Sequence, residues 1–157
     1  MTRQRGRALR GERCTCAVPH GHWHTCTLVV ALRRDQLCAP CVLDGPMTGA
    51  AFLAWVEQFL APELNPGDLV ICDNLASHKV SGVAEAIAER GARLLYLPAY
   101  SPDLNPIEMA FAKIKAHMRK VAARTLEDLE QATVGAMESF TPEECSNLLR
   151  HANYATD

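Results

Sequence analysis

The chain has 157 residues, 48% of them hydrophobic and 22% charged, and a formal net charge of −2. That is one domain by length, with enough apolar content to bury a core. No run approaches the ~18 apolar residues of a membrane span, and the Arg-rich first residues lack the apolar stretch of a secretory signal, so the expected location is cytoplasmic.

The near-neutral total conceals an uneven distribution. Seven arginines and one acid, Glu12, fall within residues 1–34, and five basic residues with no acid fall within 113–124. Local basic stretches suit contact with a nucleic-acid backbone, although a solvated face has the same composition. Seven cysteines, an odd number, in a chain without a visible leader read as reduced thiols rather than a disulfide framework. Cys14-x-Cys16 and Cys38-x-x-Cys41, with His20, His22 and His24 nearby, lack the paired spacing of a zinc site.

Residues 1–12 are polar and read as a basic arm. Three strands are expected next, over 13–18, 25–32 and 37–43, and Pro40 marks the last as an edge strand. Their short connections predict an antiparallel meander. After the turn Asp44-Gly45-Pro46, Thr48 caps a helix over 49–60 with Phe52, Val56 and Phe59 on one face.

The apolar run Leu69 to Cys72, bounded by Pro66-Gly67 and Asn74, predicts a buried strand. An amphipathic helix over 80–90 follows, with Val83 and Ile87 inward and Gly91 as its stop. A second apolar run spans 93–97. Strand, helix, strand at this length is a βαβ unit with parallel strands. Asp73 then lies just past the carboxyl end of the first strand, the edge at which ligands of open α/β sheets gather.

Asn105 predicts an N-cap, with Pro106 at the first helical position and Glu108 three residues past the cap. Ile107, Phe111, Ile114, Met118 and Val121 form the apolar stripe of this helix. Glu108, Ala112, Lys115 and Arg119 form an adjacent stripe, so a carboxylate shares a face with two cations. Thr125 caps a further helix with Leu126, Leu129 and Val134 inward. Thr141-Pro142-Glu143-Glu144 predicts a capping box for a last helix through Leu149.

Taken singly, Asp73 is a polar strand end and Glu108 a capping acid. Their setting says more. Asp73-Asn74-Leu75 is followed by Ser77-His78-Lys79, then by Leu97-Pro98-x-Tyr100-Ser101-Pro102-Asp103-Leu104-Asn105-Pro106-Ile107-Glu108, and 34 residues separate the two acids. These phrases and this spacing resemble the catalytic core of insertion-sequence transposases of the mariner-like superfamily, the DDE endonucleases. The resemblance runs more weakly from about Leu9 to Tyr154.

The resemblance implies a ribonuclease H-like α/β fold, a mixed sheet flanked by helices. It implies metal-dependent DNA strand cleavage and strand transfer in transposition, with Mg2+ or Mn2+ as cofactor and transposon ends and target DNA as partners. Asp73 would be the second catalytic, metal-binding acid and Glu108 the third. Lys79, Lys115, Arg119 and His78 would contact nucleic acid. Residues 13–124 would form the catalytic core and 125–157 a helical extension of it. In that fold a central strand carrying the first acid precedes the basic arm, so the chain is expected to be a truncated or split form, inactive alone. It would be completed by a separate N-terminal half, or else self-associate. Asp35, Asp44 and Asp68 are the candidates to replace the missing acid. Two other readings stand beside this one: a catalytically inactive nucleic-acid-binding remnant, and a small-molecule α/β enzyme using Asp73 and His78. The last lacks a glycine-rich phosphate loop.

Overall fold

The computed structural model describes residues 7–13, 15, 25–122 and 125–154. Two strands, β1 (Cys26–Leu32) and β2 (Leu37–Asp44), pair antiparallel, with Cys26 opposite Asp44 and Leu32 opposite Leu37. β1 is apolar almost throughout because both its faces are covered: Leu28, Val30 and Leu32 pack one way, Val29 and Ala31 the other. The register slips between Val29 and Ala31, which places one extra residue in β2. Pro40 sits at this bulge, where its missing N–H costs no ladder bond, beside Ala39 with φ of 52°. Trp55 Nε1–H donates to the Ala39 carbonyl at 2.8 Å and gives the bulge a buried partner. The further strand expected over 13–18 lies mostly outside the described residues.

Helix α1 (Gly49–Trp55) is capped as expected, the Thr48 hydroxyl accepting from the Ala51 N–H at 3.1 Å. It runs on as a π turn over Val56–Leu60 and a 3-10 turn over Ala61–Glu63. Phe52 and Val56 face the core, but Phe59 is exposed and Leu60 is buried in its place. The π turn is the reason. Bonding i to i+5 advances each residue less around the axis, so the fourth residue on, Leu60, returns behind Val56.

The βαβ unit forms as the pattern predicts. β3 (Leu69–Cys72) and β4 (Arg93–Tyr96) are parallel, with Cys72 opposite Tyr96. Between them α2 (Val83–Ala88) is shorter than expected and buries Val83 and Ile87 fully. Gly82, at φ of 97°, starts it, its N–H donating to Glu85 Oε2 at 2.9 Å. Only one face of this strand pair is covered. Val70, Cys72 and Leu94 pack against α1 and α2, whereas Leu69 and Leu95 remain 47% and 49% exposed. β3 is therefore half-buried rather than buried.

Three helices complete the fold: α3 (Ile107–Val121), α4 (Leu126–Glu138) and α5 (Pro142–His151). Ala110, Ile114 and Met118 are the buried stripe of α3, and Ile107 and Phe111 pack at its edge. Val121 is exposed because the helix ends there, at Ala122 with φ of 56°. On α4, Thr125 and Asp128 close a reciprocal capping box. Leu129, Ala132, Thr133 and Ala136 face inward at helical spacing, and the small alanines let α3 approach. Val134 falls between these positions and is 54% exposed, contrary to the sequence reading. The side chain of Leu126 lies outside the described residues.

The Thr141 hydroxyl caps α5, accepting from the Glu144 N–H at 3.2 Å. The Glu144 carboxylate does not close the expected box. It pairs with Lys113 Nζ at 2.6 Å, and Lys113 also donates to the Ser139 carbonyl at 2.8 Å and sits 4.2 Å over the Phe140 ring. Lys113 thus ties α3 to α5 and is withdrawn from the basic run.

Two clusters of buried residues result. One joins Val30 and Leu37 to α3, α4 and α5; the other joins Ala39 to α1, α2 and Ala92. The β1–β2 hairpin lies between them. Among the described residues no helix is long and apolar enough to cross a membrane. The packing sets a testable contrast. Ile114→Ala, at a fully buried position, should cost about 2–4 kcal/mol, and Val134→Ala should stay within about 0.5 kcal/mol. Urea denaturation followed by circular dichroism measures both, and comparable losses would refute the assignment of inner and outer faces.

Candidate active site

Among the described residues β1 and β3 do not pair with each other, and each belongs to a separate two-stranded sheet. Between them runs a groove of about 1200 Å³, lined by consecutive residues 27–36 from the hairpin side and 68–73 from the β3 side. Consecutive residues can line one space only where a strand presents its edge, since side chains alternate between faces. Asp73, His78, Asn105 and Glu108 all line this groove.

Asp73 directly follows β3 and turns the chain. Its Oδ1 accepts the Leu75 N–H at 3.2 Å, an Asx turn, and lies 2.7 Å from His78 Nδ1. His78 sits on the 3-10 turn Ala76–His78, its ring stacked on Phe52 with centroids 4.1 Å apart. The Nδ1 contact has ion-pair distance without hydrogen-bond alignment. Two buried polar atoms, His78 Nδ1 and Asn74 Oδ1, consequently lack an aligned partner. The Tyr96 hydroxyl donates to the His78 carbonyl at 2.8 Å, and this fixes the turn to β4.

Glu108 stands in the first turn of α3 and is exposed. The expected side-chain cap from Asn105 is not formed. Pro106 occupies the cap position, and the Asn105 carbonyl instead accepts the Glu108 N–H at 3.2 Å in a tight first turn. Among the described residues nothing engages the Glu108 carboxylate in a hydrogen bond or ion pair. It is not a capping-box acid.

The expected cations are distributed unevenly. Lys79 is exposed, with Nζ 5.5 Å over the Tyr96 ring at the same sheet edge as Asp73. Lys115 and Arg119 follow Glu108 on one face of α3, about 10 and 16 Å further along its axis, and do not line the groove. Of the three candidate replacement acids, Asp44 does not line the groove. Asp68 immediately precedes β3 and is held there by Arg33 Nη2 at 2.8 Å and the Asn65 N–H at 2.9 Å. These contacts outweigh its partial desolvation and lower its pKa. Asp35 sits in the β1–β2 turn. Among the described residues no group of three metal-ligating side chains forms.

Cys72 lies next to Asp73, at the end of β3. Burial pushes its thiol up to about 12, and the Asp73 carboxylate adds to the shift. Cys38 is raised to about 11, chiefly by burial. The five described cysteines are free thiols. Sequence reasoning missed the unpartnered Asn74 Oδ1 and the arginine at the groove's far end. The first needs knowledge of which way a turn side chain faces, and the second needs the pairing of distant residues.

The profile of the DDE superfamily endonuclease family matches residues 1–130. Three solved structures resemble the fold. They are the Mos1 transposase paired-end complex with the left transposon end (16% identity, TM-score 0.73), the Mos1 strand transfer complex (17%, 0.75) and the Mos1 mariner paired-end complex with Mn (16%, 0.70). Each match covers 96% of this chain and 47%, 47% and 48% of the other, so the chain spans about half the length of these relatives. No curated protein matches the chain. The mixed α/β fold is similar to that of these Mos1 transposase structures, and with 130 of its residues inside one family profile the chain belongs to the DDE superfamily endonucleases.

Proposed function

We propose that this chain is the catalytic part of a DDE transposase, acting on DNA in the cytoplasm, with Asp73 and Glu108 as two of its metal-binding acids. The observation that carries the reading is that two acids from different elements line one groove. One ends a parallel strand and the other opens a helix with no capping duty. Free thiols suit a reducing compartment.

The donor set fits a hard divalent cation. Carboxylate oxygens suit Mg2+ or Mn2+, and the unpartnered Asn74 Oδ1 beside Asp73 is a further oxygen of the same kind. Such ions, when bound, activate an attacking water or 3′-hydroxyl and stabilise the departing oxygen. The chain's own residues do the rest. Asp73 and Glu108 would hold the ions. His78, braced by Phe52 and by the Tyr96 bond to its carbonyl, orients Asp73. Lys79, Lys115 and Arg119 bind phosphates of transposon-end and target DNA along the sheet edge and the α3 face.

Two acids are an incomplete set. We take the groove between the β1 and β3 edges to be the slot for a further strand, fused or supplied in trans, which brings the remaining acid. The second reading, an inactive nucleic-acid-binding remnant, is favoured by the absence of a third ligating group among the described residues.

Plasmid nicking separates the two. The chain alone should leave supercoiled plasmid intact with Mg2+ or Mn2+, and an added strand-length segment carrying an aspartate should start cleavage. That cleavage should vanish in Asp73→Ala and Glu108→Ala. If the segment binds without starting cleavage, the remnant reading stands. Nicking by the unmodified chain that both substitutions abolish would place a third ligand within residues 1–157 and overturn the incompleteness.

DNA binding is the second expectation. Several phosphate contacts make affinity fall steeply with salt, by about 10³ or more between 50 and 200 mM for six or more contacts. Fewer contacts here should give a shallower slope, flattened by one unit or so for each of Lys115→Ala and Arg119→Ala. Fluorescence anisotropy at several salt concentrations measures this, and affinity indifferent to salt would refute the phosphate-binding role.

A further inference from the structure

Arg33 follows β1 directly and reaches across the end of the groove opposite Asp73. Its Nη2 donates to Asp68 Oδ2 at 2.8 Å, and its Nη1 donates to the Glu63 carbonyl at 2.9 Å. Asp68 immediately precedes β3, and Glu63 ends the 3-10 turn that follows α1. One guanidinium thus ties the hairpin to two elements on the β3 side. Both ends of the contact are themselves held. The Arg33 N–H donates to the Gln36 carbonyl at 2.8 Å in the β1–β2 turn, and Asp68 Oδ2 also accepts the Asn65 N–H at 2.9 Å. The two side chains are 26% and 28% exposed, so water screens them less than it screens a loose surface pair.

Apolar packing also joins the half-sheets. Val29 and Ala31 of β1 and Val70 and Cys72 of β3 share one cluster with α1 and α2. Burial of that kind is non-directional, so by itself it permits a small pivot. A planar guanidinium is directional, because its rigid fork fits two acceptors in one relative placement. Position gives the contact leverage. Asp73 stands five residues beyond Asp68, about 16 Å along the strand. A pivot at the Arg33 end is carried along β3 to that carboxylate, whereas Glu108 rides with α3 on the hairpin.

We propose that Arg33, through Asp68 and the Glu63 carbonyl, is a clasp that fixes the spacing of the two half-sheets, and is therefore a positioning residue for Asp73 relative to Glu108. It touches neither acid and acts through the strand alone. Its consequence for cleavage rests on the function proposed above. The spacing itself does not, since the clasp forms from this chain's own residues without DNA or metal.

Spin labels at Ala88 on α2 and Ala116 on α3, both exposed, report the spacing in the full chain by double electron–electron resonance. They enter through a genetically encoded ketone side chain, since the native thiols are free. Arg33→Gln and Asp68→Ser should broaden the distance distribution and shift its centre by about 2 Å or more. Serine keeps an acceptor for the Asn65 N–H but is too short for Arg33, so it spares the local turn and supplies the reading if Arg33→Gln does not fold. The double variant should shift no further than the singles, because all three lose the same contact. Lys113→Gln, which breaks an ion pair between α3 and α5, should leave the parent distribution unchanged. In the nicking reaction completed by the added segment, Arg33→Gln should lower turnover about ten-fold or more with DNA affinity unchanged. A parent distribution retained in both single variants overturns the clasp and leaves the functional reading standing. An equal shift in Lys113→Gln overturns it too, because general loosening would then set the distance. Turnover unchanged despite a shifted distance overturns the positioning role. Absence of cleavage by the parent with the segment overturns the functional reading and leaves the clasp to the distance measurement.

Discussion

A strand edge is a row of backbone donors and acceptors that must be paired or wetted, and this fold turns on two such edges that line one groove with no strand between them among the described residues. Among the described residues β1 and β3 each have a partner on one side only, β2 and β4 respectively. Their other edges line the same groove. Burying those edges without partners would cost far more than any side-chain contact nearby could return. The groove is therefore open, Leu69 on its wall stays exposed, and the helices gather elsewhere.

Where they gather follows from the hairpin. β1 is apolar on both faces, so it needs cover on both, and α3 to α5 supply one side while α1 and α2 supply the other. That demand fixes α3, and α3 carries Glu108. Lys113 reinforces the arrangement by bridging to Glu144 and the Ser139 carbonyl, although a half-exposed pair of this kind contributes little by itself. Its main effect is directional. One cation of the basic run faces the protein, which leaves Lys115, Arg119 and Lys120 for solvent or for DNA.

Much of this was legible in the sequence because it is local. Short apolar runs located β3 and β4, and the Val83–Ile87 spacing located α2. Thr48, Thr125 and Thr141 all cap the helices they precede. The misreadings share a cause. Phe59 was expected inside because a regular α-helix was assumed, and the π turn changes the phase. Val134 is exposed although the sequence reading placed it inward, because close helix approach favours the smaller Ala132 and Ala136. Glu144 and Lys113 found each other across 31 positions, which no local pattern encodes. The candidate site was legible through Asp73, Glu108 and the phrases around them. The bracing of His78 by Phe52 was not, since 26 positions separate the two residues.

The two acids differ in what holds them. Asp73 is positioned by its own strand and Asx turn, and so belongs to the β3–β4 unit. Glu108 is positioned by α3, which packs on the hairpin through Val30 and Leu37. The separation of the carboxylates is thus set by the separation of the two half-sheets, across the groove. A strand filling that groove would bond to both edges at the fixed spacing of about 4.8 Å to each neighbour. It would lock the half-sheets, and with them the acids, in one geometry. On the function proposed above, completion of the sheet and assembly of a metal site at Asp73 and Glu108 would be one event, because the same backbone bonds that satisfy the edges would set the distance between the acids.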